Sequence, residues 1–207
     1  MDKLEIIDGA TAGDIAEWLA RFIGMALAET GGPVAINVPG GSTPFPIMER
    51  LAKADLDWGR VVIWPGDDRV VPEDHPASNT GKIRTIFEPV GAEVAPLTVM
   101  EEIPHFVLSW LGMGADGHVA SLFPNTDPQV DDPVQVRQLT PDPLPPEAPF
   151  DRVTLTIPAL LGSDAILFTL GGSADKRAVF EAAVRGEQDL PITRLLAAAS
   201  QPVTCFA

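Results

Sequence analysis

The sequence is poor in cysteine, in basic residues and in long apolar runs. Cys205 is the only cysteine among 207 residues, so no internal disulfide can form, which fits a reducing compartment. No apolar segment approaches the roughly 20 residues that a bilayer-spanning helix needs. The opening stretch MDKLEIIDGA has acidic residues where a secretory signal has basic ones. We therefore expect no secretory signal and a cytoplasmic location.

Positive charge is scarce: the chain has 14 Lys and Arg but 29 Asp and Glu, which gives a formal net charge of −15. Binding to a phosphate backbone needs a basic face, so the charge argues against nucleic acid as a partner, and no membrane partner is expected. An anionic small molecule would need a local cluster of donors that works against the overall charge. No cluster of His, Cys and acids has the spacing of metal ligands, so we predict neither metal nor cofactor.

Apolar patterning predicts alternating strands and helices along most of the chain. The predicted strands lie at 4–7, 33–38, 60–65, 105–112, 134–139, 152–158, 165–172 and 202–207. The predicted helices lie at 13–29, from Pro44 or Pro46 onward, and at 78–88, 174–186 and 191–200. This alternation favours an α/β fold, a single Rossmann-like three-layer sandwich over 1–207 with a mostly parallel sheet flanked by helices.

Ligands of such sheets bind beyond the carboxyl ends of the strands. That rule selects four loops, at 39–43, 66–79, 112–124 and 171–176, which hold most of the polar clusters of the chain. The functional residues are therefore expected in these loops.

The first loop lies in PGGSTP, between a predicted strand and a predicted helix. Gly40 and Gly41 allow close approach of the backbone to an anion, while Ser42 and Thr43 add hydroxyl donors at a helix N-terminus. The alternative is a plain tight turn with a helix cap. The loop is not a Walker loop, because no Gly-Lys-Ser/Thr ending follows.

The second and fourth loops supply cations. Asp67, Asp68 and Arg69 leave the end of a strand together, and Arg69 would face the same crevice as loop 39–43. A solvated charged turn is the alternative. Lys176 lies in the first turn of the helix after a Gly-Gly pair, where it could bind a phosphate or be an ordinary surface lysine. Ser78 and Asn79, at the end of the second loop, are more typical of a helix cap than of substrate ligands.

The third loop, in GMGADGHVASLFP, has the G-x-G-x-x-G spacing of a dinucleotide-binding loop. Such a site needs a long helix after the third glycine, but the candidate helix HVASLF is ended by Pro124. The acid expected about 20 residues further on would fall at Asp131 or Asp132, in a proline-rich loop. A nicotinamide-dependent dehydrogenase is therefore disfavoured.

Asp116 and His118 are the chemically informative residues of this third loop. An imidazole can take a proton from water near neutral pH, and a neighbouring carboxylate can orient the ring. Glycines such as Gly114 leave room for a substrate and could supply backbone N–H donors to a developing oxyanion. The alternative is a histidine that caps a short helix.

With these loops in view, the chain resembles the 6-phosphogluconolactonase family, within the wider group of glucosamine-6-phosphate isomerases and deaminases. The matching stretches are NVPGGSTP, WPGDDRVVPEDHPASN, LGMGADGHVASLFP, RVTLTIPALLGSDAILFTLGGSADKRAVF and PITRLL. The sequence differs from the family at Asp68, where a Glu is usual, and lacks a helix usually found between LTVM and HFVLSW.

The resemblance implies hydrolysis of 6-phospho-D-glucono-1,5-lactone to 6-phospho-D-gluconate in carbohydrate metabolism. We expect a monomer or small homo-oligomer. The resemblance also implies a general base at His118 beside Asp116, binding cations at Arg69 and Lys176, and a phosphate loop at 41–43. Two alternatives remain: a sugar-phosphate isomerase or deaminase with Asp67 or Asp68 as its base, and a sugar-phosphate-binding protein without turnover. The binding protein would tolerate the loss of His118.

Overall fold

Parallel strands form the central sheet of the computed structural model, which describes residues 3–146 and 148–207. Within those residues the sheet has seven strands. The labels β1 to β10 number the strands of this sheet and of a second, smaller sheet together, in chain order. Across the central sheet the strands are β1 (Leu4–Ile7), β10 (Val203–Phe206), β9 (Ile166–Thr169), β6 (Leu108–Leu111), β2 (Val34–Val38), β3 (Val61–Pro65) and β5 (Glu93–Val94). The predicted α/β class with a mostly parallel sheet is confirmed.

Helices cover both faces of this sheet. They are α1 (Ala12–Glu29), α2 (Pro44–Leu51), α3 (Asn79–Phe87), α4 (Ile157–Leu161), α5 (Ala174–Val184) and α6 (Pro191–Ala198). One hydrophobic core joins α1, α2 and α3 to one face of the sheet, and a second core joins α4, α5 and α6 to the other. Strands buried on both faces need apolar residues throughout, which explains the continuous apolar runs in the sequence.

Local signals in the sequence explain where the principal helices begin. Thr11 and Asp14 form a capping box at the start of α1, and Pro44 is the first residue of α2. Ser78 caps α3 by accepting a hydrogen bond from the N–H of Gly81. Among the described residues, none of the helices combines the length and the hydropathy that a membrane span requires.

A second, smaller sheet lies beside the first and was not foreseen from the sequence. It is antiparallel, in the order β4 (Asp67–Arg69), β8 (Arg152–Leu155) and β7 (Val136–Leu139). The prediction that 66–79 is entirely loop is wrong at its start, since 67–69 pair with β8. The run Asp-Asp-Arg has no apolar alternation, so nothing local predicts a strand there.

The short helix considered at 118–123 is also absent. Residues 118–122 instead turn back on themselves through the isolated bridges Met113–Val119 and Val119–Leu122, and Ala120 has a φ of +51°. His118 is therefore not the cap of a short helix.

The order of the parallel strands reverses direction between β2 and β6. Chain connections leave these neighbours toward opposite sides, which opens a crevice at their carboxyl ends. Below that crevice, Asn37 Nδ2 of β2 donates to Ser109 Oγ of β6 at 2.6 Å, and both side chains are buried. Loops 39–43 and 112–124 start at this point of the sheet.

Candidate active site

A polar cleft of about 410 Å³ lies at the carboxyl ends of the parallel strands. All four loops selected from the sequence contribute to it. The predicted site residues that line this polar cleft are Gly40, Gly41, Ser42, Thr43, Arg69, Gly114, His118 and Lys176. Asp116 lies directly beside it in contact with His118, whereas Asp68 does not line it.

His118 and Asp116 form a hydrogen-bonded pair at the rim of the polar cleft. Asp116 Oδ1 lies 2.6 Å from His118 Nδ1, and the His118 ring packs against Phe123 with centroids 4.7 Å apart and an interplanar angle of 42°. The hydrogen bond to His118 lowers the pKa of Asp116, so the carboxylate is ionised and acts only as an acceptor. A neutral His118 then carries its proton on Nδ1, which leaves Nε2 as the basic nitrogen.

Gly114 makes this pair possible because it lacks a side chain. A Cβ at position 114 would lie 2.2 Å from His118 Nδ1 and 2.4 Å from Asp116 Oδ1. However, the N–H of Gly114 donates to the carbonyl of His118 at 3.0 Å. Backbone donors near Gly114 were expected to stabilise an oxyanion; the N–H of Gly114 itself is engaged in closing the turn.

Loop 39–43 is shaped for close packing and leaves its hydroxyls available. A Cβ at Gly40 would lie 2.2 Å from the side chain of Asn79, and Gly41 has a φ of +111°, which favours glycine. Thr43 precedes α2 without capping it, and neither Ser42 nor Thr43 donates a side-chain hydrogen bond within residues 3–146 and 148–207. The helix-cap alternative is thus not what Thr43 does here.

Asp68 is a structural carboxylate beneath the polar cleft rather than a ligand in it. It is buried and accepts hydrogen bonds from the backbone N–H groups of Arg69, Asn79 and Thr80 at 2.7, 2.6 and 2.9 Å. The hydroxyl of Ser78 donates a fourth, at 3.0 Å. These bonds fasten the N-terminus of α3 to β4, so the structure does not bring Asp68 to the place expected for a substrate ligand.

Arg69 and Lys176 bring positive charge to the polar cleft. Arg69 Nη1 donates to the carbonyl of Ala77 at 2.7 Å and to Asn79 Oδ1 at 3.3 Å. Among the described residues, neither cation has a carboxylate within ion-pair distance. Their charges therefore remain available to an anionic ligand.

Two residues of the polar cleft were missed or undervalued at the sequence level. Ser78 or Asn79 was predicted to cap the helix; Ser78 is the cap, and Asn79 hydrogen-bonds to both Arg69 and the carbonyl of Asp67. Asp67 lines the polar cleft where Asp68 was expected, and burial raises its pKa. In a strand, neighbouring side chains point to opposite faces, and this alternation assigns the two carboxylates their different roles.

Arg152, whose role the sequence left open, is buried outside the polar cleft. Its guanidinium donates to the carbonyls of Phe150 and Ala148, the latter at 2.8 Å, and burial lowers its pKa. It lies directly opposite Arg69 in the β4–β8 pairing. Arg152 therefore secures the chain before β8 and adds a second positive charge behind Arg69.

Together the fold and site define an α/β protein whose polar cleft combines two cationic side chains with a histidine–aspartate pair. A model of the family described as glucosamine-6-phosphate isomerases/6-phosphogluconolactonase matches residues 8–94 and 85–204. Two relatives named 6-phosphogluconolactonase are each 34% identical. The protein from Neisseria meningitidis aligns over 89% of both chains, and that from Pseudomonas aeruginosa over 90% of this chain and 87% of its own.

Solved structures agree with this relationship. The 6-phosphogluconolactonase of Shewanella baltica has a TM-score of 0.80 at 26% identity, covering 99% of this chain and 97% of its own. The Thermotoga maritima protein of that name shares the fold, with a TM-score of 0.83 at 24% identity and 99% coverage of both chains. The chain therefore belongs to the glucosamine-6-phosphate isomerase/6-phosphogluconolactonase family.

Proposed function

We propose that this chain is a 6-phosphogluconolactonase, which hydrolyses 6-phospho-D-glucono-1,5-lactone to 6-phospho-D-gluconate. The observation that carries the proposal is the His118–Asp116 pair, hydrogen-bonded at 2.6 Å and set in one cleft with the loop at 39–43. The named relatives support the same substrate. We assign the reaction to cytoplasmic carbohydrate metabolism, in the oxidative pentose phosphate or Entner–Doudoroff pathway.

In the proposed mechanism His118 is the general base. Nε2 takes a proton from a water molecule as its oxygen bonds to C1 of the lactone, and the Asp116 carboxylate stabilises the resulting imidazolium. When the tetrahedral intermediate collapses, the C1–O5 bond breaks and the proton passes from Nε2 to O5. Base assistance of this kind contributes roughly 10²–10⁴-fold to the rate.

In this mechanism Arg69 stabilises the negative charge that develops on the carbonyl oxygen of C1. The N–H of Gly114 is engaged with His118, whereas the Arg69 guanidinium lines the polar cleft without a carboxylate partner among the described residues. Loop 39–43 and Lys176 bind the substrate phosphate in this proposal. Because the phosphate is remote from C1, binding it there would position C1 beside His118 without contacts at the reacting carbon itself.

The direct test is an assay of the purified chain with freshly prepared lactone. Product formation is coupled to 6-phosphogluconate dehydrogenase, and the spontaneous rate is subtracted. We expect enzyme-dependent hydrolysis that saturates with substrate. A rate equal to the spontaneous rate at every enzyme concentration would refute the proposal.

The alternative of an isomerase or deaminase is favoured by one observation, the position of Asp67. Such enzymes need a carboxylate base that faces C1 and C2 of the sugar, and Asp67 lines the polar cleft with a raised pKa. Glucosamine 6-phosphate is therefore assayed in parallel, with ammonia release as the readout. Release of ammonia without lactone hydrolysis would favour this alternative.

A further inference from the structure

Asp67 is the only carboxylate among the described residues that line the polar cleft. The other charged and polar groups there, such as Arg69 and Lys176, suit an anion. A carboxylate close to a bound phosphate would repel it, so Asp67 must serve a different, uncharged part of the ligand.

The Asp67 side chain is held rigidly from behind. Ser121 Oγ donates to Asp67 Oδ2 at 2.5 Å, and the N–H of Ser121 donates to Thr154 Oγ1 at 3.2 Å. Thr154 lies directly opposite Asp67 in the β4–β8 pairing, and both Ser121 and Thr154 are buried. This connection joins β4 to the loop that carries His118.

The turn that directs Ser121 toward Asp67 is conformationally strained. Ala120 precedes Ser121, lines the polar cleft and has a φ of +51°, in the left-handed region that alanine rarely adopts. Strain of this kind persists where surrounding contacts enforce it and is concentrated at functional sites. The contacts that enforce it here include the Ser121–Asp67 hydrogen bond.

The second carboxylate oxygen, Oδ1, receives no hydrogen bond from any residue within 3–146 and 148–207. A carboxylate oxygen that lines a cleft and lacks a donor can accept a hydrogen bond from a neutral O–H group of a ligand. A sugar lactone offers such groups at its ring carbons. We infer that Asp67 recognises a ring hydroxyl of the substrate and that Ser121 is the residue that positions it, an inference that rests on the proposed function.

This inference predicts which substrates the chain rejects. A site built to hydrogen-bond a hydroxyl discriminates strongly against the analogue that lacks it, because its own polar group is then left unpaired. We expect one of the 2-deoxy, 3-deoxy or 4-deoxy forms of the phosphorylated lactone to have a kcat/KM at least about 100-fold below that of the parent. The kcat/KM of the other two deoxy lactones should fall by a smaller factor.

The decisive experiment combines these analogues with Asp67→Ala. In this variant the rate difference between the parent lactone and the rejected analogue should fall below about fivefold, since the partner of that hydroxyl is gone. Asp67→Asn keeps the side-chain volume, so it covers the case in which the alanine variant fails to fold. It should reduce the same difference at least about tenfold.

Ser121→Ala tests the positioning role. It should raise KM for the parent lactone and weaken discrimination while kcat changes by less than about threefold. Ser78→Ala is the matched control, since it removes another buried serine–aspartate hydrogen bond, that of Ser78 Oγ to Asp68 Oδ2, outside the polar cleft. It should leave discrimination among the lactones unchanged.

Two results separate this inference from the proposed function. If wild-type protein hydrolyses the lactone but Asp67→Ala slows the parent and every deoxy analogue by one common factor, the hydroxyl-recognition role is refuted and lactonase activity stands. If wild-type protein hydrolyses no lactone, the proposed function is refuted and this inference with it.

Discussion

Replacing Gly114 by alanine tests whether the geometry of the His118–Asp116 pair sets the rate. The added Cβ would lie 2.2 Å from His118 Nδ1, whereas ordinary contacts begin at 3.4 Å, so ring and Cβ must separate by about 1 Å. The same Cβ is 2.4 Å from Asp116 Oδ1, so Asp116 must move as well. The hydrogen bond that fixes the tautomer of His118 would be lost.

A displacement of about 1 Å at a reacting group can reduce a rate by roughly 100-fold. We therefore expect Gly114→Ala to lower kcat by about two orders of magnitude. Binding of 6-phosphogluconate should change little, because the phosphate is assigned to loop 39–43 and Lys176. The measurements are kcat by the coupled lactone assay and product affinity by calorimetry.

The matched control is Gly66→Ala, at a glycine that also follows the carboxyl end of a strand. Its Cβ would meet Val38 O at 3.5 Å and Asn37 Oδ1 at 3.6 Å, which are ordinary contacts. This variant should keep kcat within about threefold of wild type. A Gly114→Ala protein with wild-type kcat would show that the geometry of the pair does not limit the rate.

Three further predictions concern stability and reactivity. Asp68→Ala should lower the free energy of unfolding by about 3–5 kcal/mol in urea titrations, because buried donors lose their acceptor; the exposed Asp164→Ala should change it little. Asp67→Asn should raise Tm at pH 7 but not below the ordinary carboxyl pKa of 3.8. The raised pKa of Asp67 means that the folded state binds the extra proton, so wild-type stability falls as pH rises above 3.8; an equal Tm at pH 7 would contradict this. Burial raises the pKa of the Cys205 thiol to about 12, so a thiol reagent at pH 8 should react only on unfolding, and rapid labelling of native protein would contradict its burial.

Much of the fold could be predicted because its signals are local. Strand β2 reads as an apolar run interrupted only by Asn37, α1 has helical spacing, and Ser78 is a standard capping residue. The position of the polar cleft followed from one rule, that parallel strands place their carboxyl ends on the same side. These features require no knowledge of distant contacts.

The wrong predictions depend on contacts that no local pattern reveals. Strand β4 is held by backbone pairing with β8, about 85 residues further along the chain. That pairing decides that Asp68 is buried under α3 while Asp67 lines the polar cleft. The N–H of Gly114, one of the backbone donors expected near a substrate, donates to the carbonyl of His118 and closes the turn.

Two features of the site could be predicted only in part. The glycine at position 114 was expected to leave room for a substrate; it lines the polar cleft, and its missing side chain also makes room for the His118 ring and the Asp116 carboxylate. Asn79 was expected at the start of a helix and is the first residue of α3, but its side-chain oxygen also accepts a hydrogen bond from Arg69. In both cases the residue and its element were predictable, and the contact was not.

The central claim is that Nε2 of His118 takes the proton from the attacking water. His118→Asn removes that base, and His105→Asn is a matched control, since His105 Nε2 also meets a carboxylate, Asp164 Oδ1, at 2.7 Å on the exposed surface. On freshly prepared lactone, His118→Asn should lose at least about 100-fold in kcat with product affinity retained, and His105→Asn should match wild type. Near-normal turnover by His118→Asn would contradict the account.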